Sequence, residues 1–251
     1  MESSTKKQKI QEAGYSFPYH YLDLKVDEYR LILHVEYLSY LNIVKNLLKP
    51  FTGQSVLDAG CGDGRFCYEL KDKNVKIVGI DFSERAIAFA KVFNPDGEFY
   101  IKDLKNLKLP YKFDYMVLIE TLEHIIPSEI SLILENLSNI LKKDGKLIIT
   151  VPSVNISLIE KHYQHFTKES LIDAVKDYFT VIKCVGYSRI GLHRKIFSKI
   201  RSASFLLFPL GRKIKLINKW FEYLKKYYEV HFAIGKPEEC NGIVAVCEKK
   251  S

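Results

Sequence analysis

A short apolar run that ends in three glycines at alternate positions constrains this chain more than any other feature. Val56-Leu57-Asp58-Ala59-Gly60-Cys61-Gly62-Asp63-Gly64 reads as a strand, a tight turn and the opening of a helix. Glycine tolerates positive φ and lets backbone approach a ligand closely. A glycine-rich turn between strand and helix is also how dinucleotide sites are built. Here the third glycine is misplaced for the dinucleotide spacing Gly-x-Gly-x-x-Gly, so a nicotinamide cofactor fits poorly. A strand-to-helix turn without a ligand is the plain alternative.

The turn stands near the head of a strand–helix alternation. Ser55–Ala59, Val75–Ile80, Glu98–Ile101, Phe113–Ile119 and Lys146–Val151 read as strands, followed by Tyr178–Tyr187 and Gly242–Lys249. Leu31, Val35, Leu38, Leu41 and Val44 predict one amphipathic helix over Val26–Leu48. Further helices are expected from Arg65 to Lys71, after a Ser83 cap to Val92, and after a Thr167 cap to about Lys176. Ser128 is expected to cap a helix running to Lys142, with Gly145 just past its end. Met1–Glu12 is polar and Lys-rich, lacks the apolar core of a signal peptide, and reads as a loose tail. Residues 1–24 are thus set aside as a tail with an aromatic segment, and 25–251 as one domain. Alternating strands and helices imply an α/β fold whose mostly parallel sheet is covered on both faces. Ligands then bind beyond the carboxyl ends of the strands.

Acids fall at those ends. Asp81 closes Val78-Gly79-Ile80-Asp81, where a carboxylate can accept two hydrogen bonds from ribose hydroxyls. Asp103 follows the third strand in Tyr100-Ile101-Lys102-Asp103-Leu104, and Ile119 and Glu120 end the fourth. With Asp58 and the Gly-x-Gly-x-Gly turn, this order resembles class I S-adenosylmethionine (SAM) dependent methyltransferases of the type 11/12-like group. The resemblance covers about residues 51–179. It implies a Rossmann-like, doubly wound sheet, to which the residues themselves give seven strands, an N-terminal helix and a helical insert before the last strand. It also implies SAM held by Asp58, Gly60, Cys61, Gly62, Asp81, Phe82, Asp103, Leu104, Ile119 and Glu120. In the family the acid matching Asp103 contacts the adenine amino group, the next residue packs on the ring, and the end of the fourth strand approaches the methionine moiety. A non-catalytic subunit with this fold is the alternative to an enzyme.

A sulfonium methyl group is already activated, so the protein mainly has to align the acceptor, exclude water and, for a hydroxyl, remove a proton. Glu120-Thr121-Leu122-Glu123-His124 and His162-Tyr163-Gln164-His165-Phe166-Thr167 both follow strands and supply the candidates Glu123, His124, His162 and His165. His124 is the preferred base, although these histidines can equally cap or pack helices. The first string is similar to that of ubiquinone-biosynthesis-like and glycan-modifying methyltransferases. Glu120, Glu123, His124 and His162 also match small-RNA 2′-O-methyltransferases, in which the pattern holds a divalent metal; the expectation here is no metal.

The net charge of +8 is unevenly placed. From Arg189 to Glu229 eleven Lys and Arg, Arg212 among them, face only Glu222 and Glu229, so this segment accounts for the chain's positive excess. It lies in an insert over about 191–236 that mixes cations with Ile, Leu, Phe and Trp. Such a composition suits a helical lid packed on the domain, a membrane-surface element, or an RNA-binding face. Ser16-Phe17-Pro18-Tyr19-His20-Tyr21-Leu22 resembles the opening of methyltransferases of surface-polysaccharide and lipid-linked glycan assembly; packing over the cofactor mouth is the alternative. The expected acceptor is a hydroxyl of a glycan, lipid-linked sugar or small metabolite, with nucleic acid less favoured and peripheral membrane contact allowed. Five scattered cysteines without metal-ligand spacing, and no apolar run of ~18 residues, point to free thiols in a cytoplasmic protein.

Overall fold

The computed structural model describes residues 5–211 and 213–250. Residues 1–4 of the expected tail, and Arg212 of the insert, lie outside the described residues. The rest of that tail is not loose. Helix α1 spans Lys6–Gly14 and begins at a capping box, in which Thr5 and Gln8 satisfy each other's backbone N–H. The Thr-x-x-Gln signal is in the sequence and outweighs the polar composition.

The helix expected over Val26–Leu48 is two pieces. Glu28–His34 is a 3-10 segment, and α2 spans only Val35–Leu48. The 3-10 repeat stacks residues three apart. It thereby lines up Tyr29, Ile32 and Val35, all buried in one cluster with the insert. An α-helix would have rotated Tyr29 and Val35 away from a common line.

Strand β1 (Ser55–Ala59) leads through the glycine turn into α3 (Arg65–Glu69). β2 (Lys76–Asp81), α4 (Glu84–Phe93), β3 (Glu98–Ile101) and β4 (Phe113–Ile119) follow. Ser83 caps α4 as expected, its Oγ accepting from Ala86 N at 3.0 Å. Ser83→Ala should therefore cost about 1 kcal/mol, read as a lower urea midpoint with unchanged slope.

Helix α5 spans Ile130–Ile140 and carries no side-chain cap; Ser128 sits in a preceding 3-10 turn. β5 begins at once with Leu141 and runs to Pro152. Gly145 is therefore inside a strand, with no positive φ, and is not a helix stop. A Cβ there would lie 3.0 Å from the Asp114 carbonyl and against Leu141, so glycine serves close approach to β4. α6 (Lys168–Val175) is capped by Thr167, as expected, and leads to β6 (Phe179–Arg189). The insert supplies α7 (Leu192–Ser204), the short α8 (Phe208–Gly211) and α9 (Lys215–His231). It ends in β7 (Ile234–Gly235), and β8 (Cys240–Lys249) closes the chain.

The sheet order is β3-β2-β1-β4-β5-β8-β6-β7, eight strands where seven were expected. The extra strand is β7, two residues that pair with Gly186 and Tyr187 at the edge. Such a pair is too short to leave a periodicity in sequence. β1 to β5 pair in parallel, and β8 is antiparallel to both β5 and β6. One core layer packs α5 and α6 on the sheet, and a second packs α2 and α3 on the other face. All five cysteines are free. No helix among the described residues is long and apolar enough to cross a membrane.

Candidate functional site

The residues that follow β1, β2, β3 and β4 line a cavity of about 1280 Å³. At its floor the backbone N–H groups of Gly60 and Cys61 both donate to the Ile80 carbonyl, at 2.7 and 2.9 Å, tying the turn to β2. Gly60 has φ +83°, and a Cβ there would fall 2.5 Å from Thr121 Oγ1. Gly62 has φ +52°, and its Cβ would fall 2.5 Å from the Tyr15 hydroxyl. Neither position accepts a side chain without strain and collision.

Asp81 is buried beneath this turn. Its Oδ2 accepts from Gly62 N and its Oδ1 from Ser83 N, both at 2.9 Å. Burial pushes its carboxyl up to about 6, and the Ser83 and Gly62 N–H groups pull the other way. Asp58 is buried deeper and pushed up to about 7 by that burial, despite a hydrogen bond from the Cys67 thiol. Asp103 accepts from Lys105 N at 2.9 Å and lies at the half-exposed rim. Cys61, Phe82, Leu104 and Ile119 also line the cavity, so all ten expected cofactor contacts converge on one space.

Glu120 is the strained member, a non-glycine residue at φ +49°. Tyr187 OH and Thr150 Oγ1 donate to its Oε1 at 2.7 and 3.0 Å. Glu120 N in turn donates to the Thr150 carbonyl at 3.1 Å. Burial raises its carboxyl above the usual range. Tyr187 and Thr150 come from β6 and β5, a pairing that local sequence does not reveal.

The next turn brings Glu123, His124 and His162 together. Their possible ligand atoms all lie within 4.8 Å of one another. Glu123 is completely buried, and neither carboxylate oxygen meets a donor among the described residues. Burial and the neighbouring Glu120 hold its carboxyl well above the ordinary value. His124 Nδ1 lies 3.2 Å from the Lys161 carbonyl, which can only accept, so Nδ1 carries the proton and Nε2 a lone pair. The same reasoning orders a chain behind it. His165 Nδ1 donates to the Ile156 carbonyl at 3.2 Å, and His165 Nε2 accepts from His162 Nδ1 at 2.9 Å, leaving the His162 Nε2 lone pair free. Burial lowers His124 to about 4, with Lys161 adding to it, and lowers His162 to about 3, with His124 adding to it. His165 does not line the cavity; it orients His162.

The N-terminal segment roofs the space. Thr5, Gln8, Tyr15, Tyr19 and His20 all line it. The Tyr163 hydroxyl donates to Thr5 Oγ1 at 3.2 Å, and Lys7 Nζ donates to the carbonyls of Glu160 and His162. On the far side His20 pairs with Asp63 at 2.9 Å, and Arg65, itself buried, pairs with Asp23 at 2.8 Å. Tyr15, Tyr40, Arg65 and Lys161 line the cavity too, and no local spacing in the sequence marks them. Only the Thr5 capping box signalled that the segment is ordered at all.

A family model described as a methyltransferase domain matches residues 50–223, well over half of the chain. Among curated proteins, the ubiquinone biosynthesis O-methyltransferase of Pelagibacter ubique is 29% identical over 117 residues, which is 43% of this chain and 48% of that protein. The chain therefore matches about half the length of such relatives. Among solved structures, the N-methyltransferase NodS from Bradyrhizobium japonicum WM9, in complex with S-adenosyl-L-homocysteine, superposes with a TM-score of 0.64 at 13% identity, covering 98% of this chain and 100% of that one. A TehB-like SAM-dependent methyltransferase from Corynebacterium glutamicum superposes with a TM-score of 0.60 at 15% identity, covering 96% and 100%. At these identities the superpositions establish the shared fold.

Proposed function

From the premise that the chain belongs to the methyltransferase-domain family, we propose that it binds SAM and transfers the methyl group to a hydroxyl of a glycan, lipid-linked sugar or small metabolite. The observation that carries this reading is Asp81, a buried carboxylate anchored by two backbone N–H groups under a turn that admits only glycine. The cavity suits the cofactor in charge as well as size. Asp63 and Asp81 line it at the glycine turn, and a cationic sulfonium and ammonium match such carboxylates. Asp81 would hold the ribose, Leu104 and Asp103 the adenine end, and Glu120 the methionine end. When bound, SAM supplies the activated methyl group; the chain supplies alignment, a dry cavity and a proton acceptor. His124 fits the last role, being neutral with Nε2 unprotonated beside the cavity.

A second reading concerns how the acceptor hydroxyl is held. Glu123, His124 and His162 offer one carboxylate and two imidazole lone pairs, a donor set that suits a divalent cation. Both undonated oxygens of the fully buried Glu123 favour this reading. Such an ion would compensate a carboxylate whose charged form is otherwise disfavoured by burial and by Glu120. This departs from the expectation of no metal.

One experiment addresses both. Protein is incubated with methyl-labelled SAM and a host-cell extract, before and after dialysis against chelator, and label is counted in lipid, glycan, small-molecule and RNA fractions. Label in the first three supports the main reading, whereas label in none while SAM still binds would reduce the protein to a non-catalytic subunit. Loss on dialysis, restored by Mg²⁺, Mn²⁺ or Zn²⁺, supports the ion. Undiminished transfer removes it. Chelator-sensitive label in RNA would move the acceptor to a ribose hydroxyl.

A further inference from the structure

The insert buries one face and leaves another uncovered. On α9, Phe221, Leu224 and Tyr228 pack into the cluster that holds Tyr29, Ile32 and Val35. At 100° per residue, Leu216, Trp220, Tyr223 and Val230 share a different face, and all four are exposed. On α7, Phe197 is buried in the same cluster, whereas Leu192, Ile196 and Ile200, at successive four-residue steps, form an exposed stripe. Leu192 is 74% exposed, Leu216 75%, and Leu206, between the helices, 84%. Single exposed apolar residues are ordinary; paired stripes on adjoining helices mark an interaction surface. Packing on the domain thus accounts for only part of the insert's apolar content.

Cations border the stripes. Exposed Lys195 and Lys199 flank that of α7, and exposed Lys219 and Lys226 that of α9. α7 contains no acid. The two acids of α9, Glu222 and Glu229, project more than a right angle away from the centre of its stripe.

We propose that this face of the insert docks on an anionic lipid surface. Aliphatic side chains ringed by lysines, with Trp220 and Tyr223 between them, match the boundary between acyl chains and headgroups. A second copy of this chain would set two lysine-bordered stripes against each other, so like charge disfavours it. Single-stranded RNA stacks its bases on aromatic rings, and these stripes are mostly aliphatic. The placement has a use. β6 runs parallel to β5, so α7 leaves the sheet at the edge onto which the cavity opens. Docking there turns that edge toward the bilayer, where a lipid-linked acceptor would be presented.

Co-sedimentation of the full chain with vesicles of phosphatidylcholine, alone or mixed with phosphatidylglycerol, tests this. Binding is expected to the mixed vesicles only, weakening as salt rises. Lys195→Glu with Lys199→Glu should lower the partition at least about thirtyfold. Leu206→Asp with Leu216→Asp should do the same by removing two apolar anchors. Unchanged circular dichroism and SAM binding verify that each variant is folded. Wild-type protein that ignores anionic vesicles would overturn the proposal, as would undiminished binding by both variants. RNA binding without vesicle binding would overturn it in favour of nucleic acid, and dimerisation abolished by the leucine variant would do so in favour of self-association. The readout needs no methyl transfer, so vesicle binding by an inactive protein would sink the proposed activity and leave this inference standing.

Discussion

Asp81→Ala should weaken SAM binding at least about a hundredfold while leaving the protein folded. Each charge-assisted hydrogen bond to a ribose hydroxyl contributes about 1.5–3 kcal/mol net. Two of them give a hundredfold to about ten-thousandfold loss. The carboxylate also anchors Gly62 N and Ser83 N, so its removal loosens the glycine turn as well. Asp81→Asn keeps one acceptor and should lose less, which separates the charge from the scaffold. Titration calorimetry reads both. A pH series adds an independent mark. The Asp81 carboxyl sits near 6, so it is ionised at neutrality and becomes protonated as pH falls through that value. Affinity should therefore be full above about 6 and decline below it. Wild-type affinity in the alanine variant would remove the cofactor assignment.

The second large effect is on turnover. His124→Ala should lower kcat about a hundredfold or more, the range for losing a positioned proton acceptor, with the Kd for SAM unchanged. Burial keeps His124 neutral down to about pH 4. At saturating SAM, kcat should thus hold as pH falls from neutrality toward that value, while kcat/KM for SAM already declines near 6 through Asp81. Two displaced acid limbs would distinguish the two residues. Glu123→Gln separates the base from the bound ion. Under the base reading it changes kcat modestly, because burial and Glu120 already disfavour the charged form of Glu123. Under the ion reading it removes the only anionic ligand of the three and should abolish metal-restored activity. Full activity in His124→Ala would rule out both roles for that imidazole.

What the sequence determined by itself was local. The glycine turn, the acids at strand ends and the Ser83 and Thr167 caps each act within a few residues, so spacing alone exposed them. They located the parallel half of the sheet and ten residues that line one cavity beyond its strand ends. Composition and residue type alone are weaker guides. The charge of Met1–Glu12 suggests a loose tail, whereas the Thr5–Gln8 box starts a helix at Lys6. Gly145 reads as a helix stop because glycine serves both helix ends and close strand approach, and only the neighbouring Asp114 carbonyl distinguishes them. The tertiary structure decided what depends on distant partners. It bent the segment before α2 into a 3-10 turn so that Tyr29, Ile32 and Val35 meet the insert. It clamped the strained Glu120 with Tyr187 and Thr150. It left Glu123 without a donor beside two imidazoles. Hydrogen bonds and burial between residues far apart in the chain shift those carboxyls, and no local pattern encodes them.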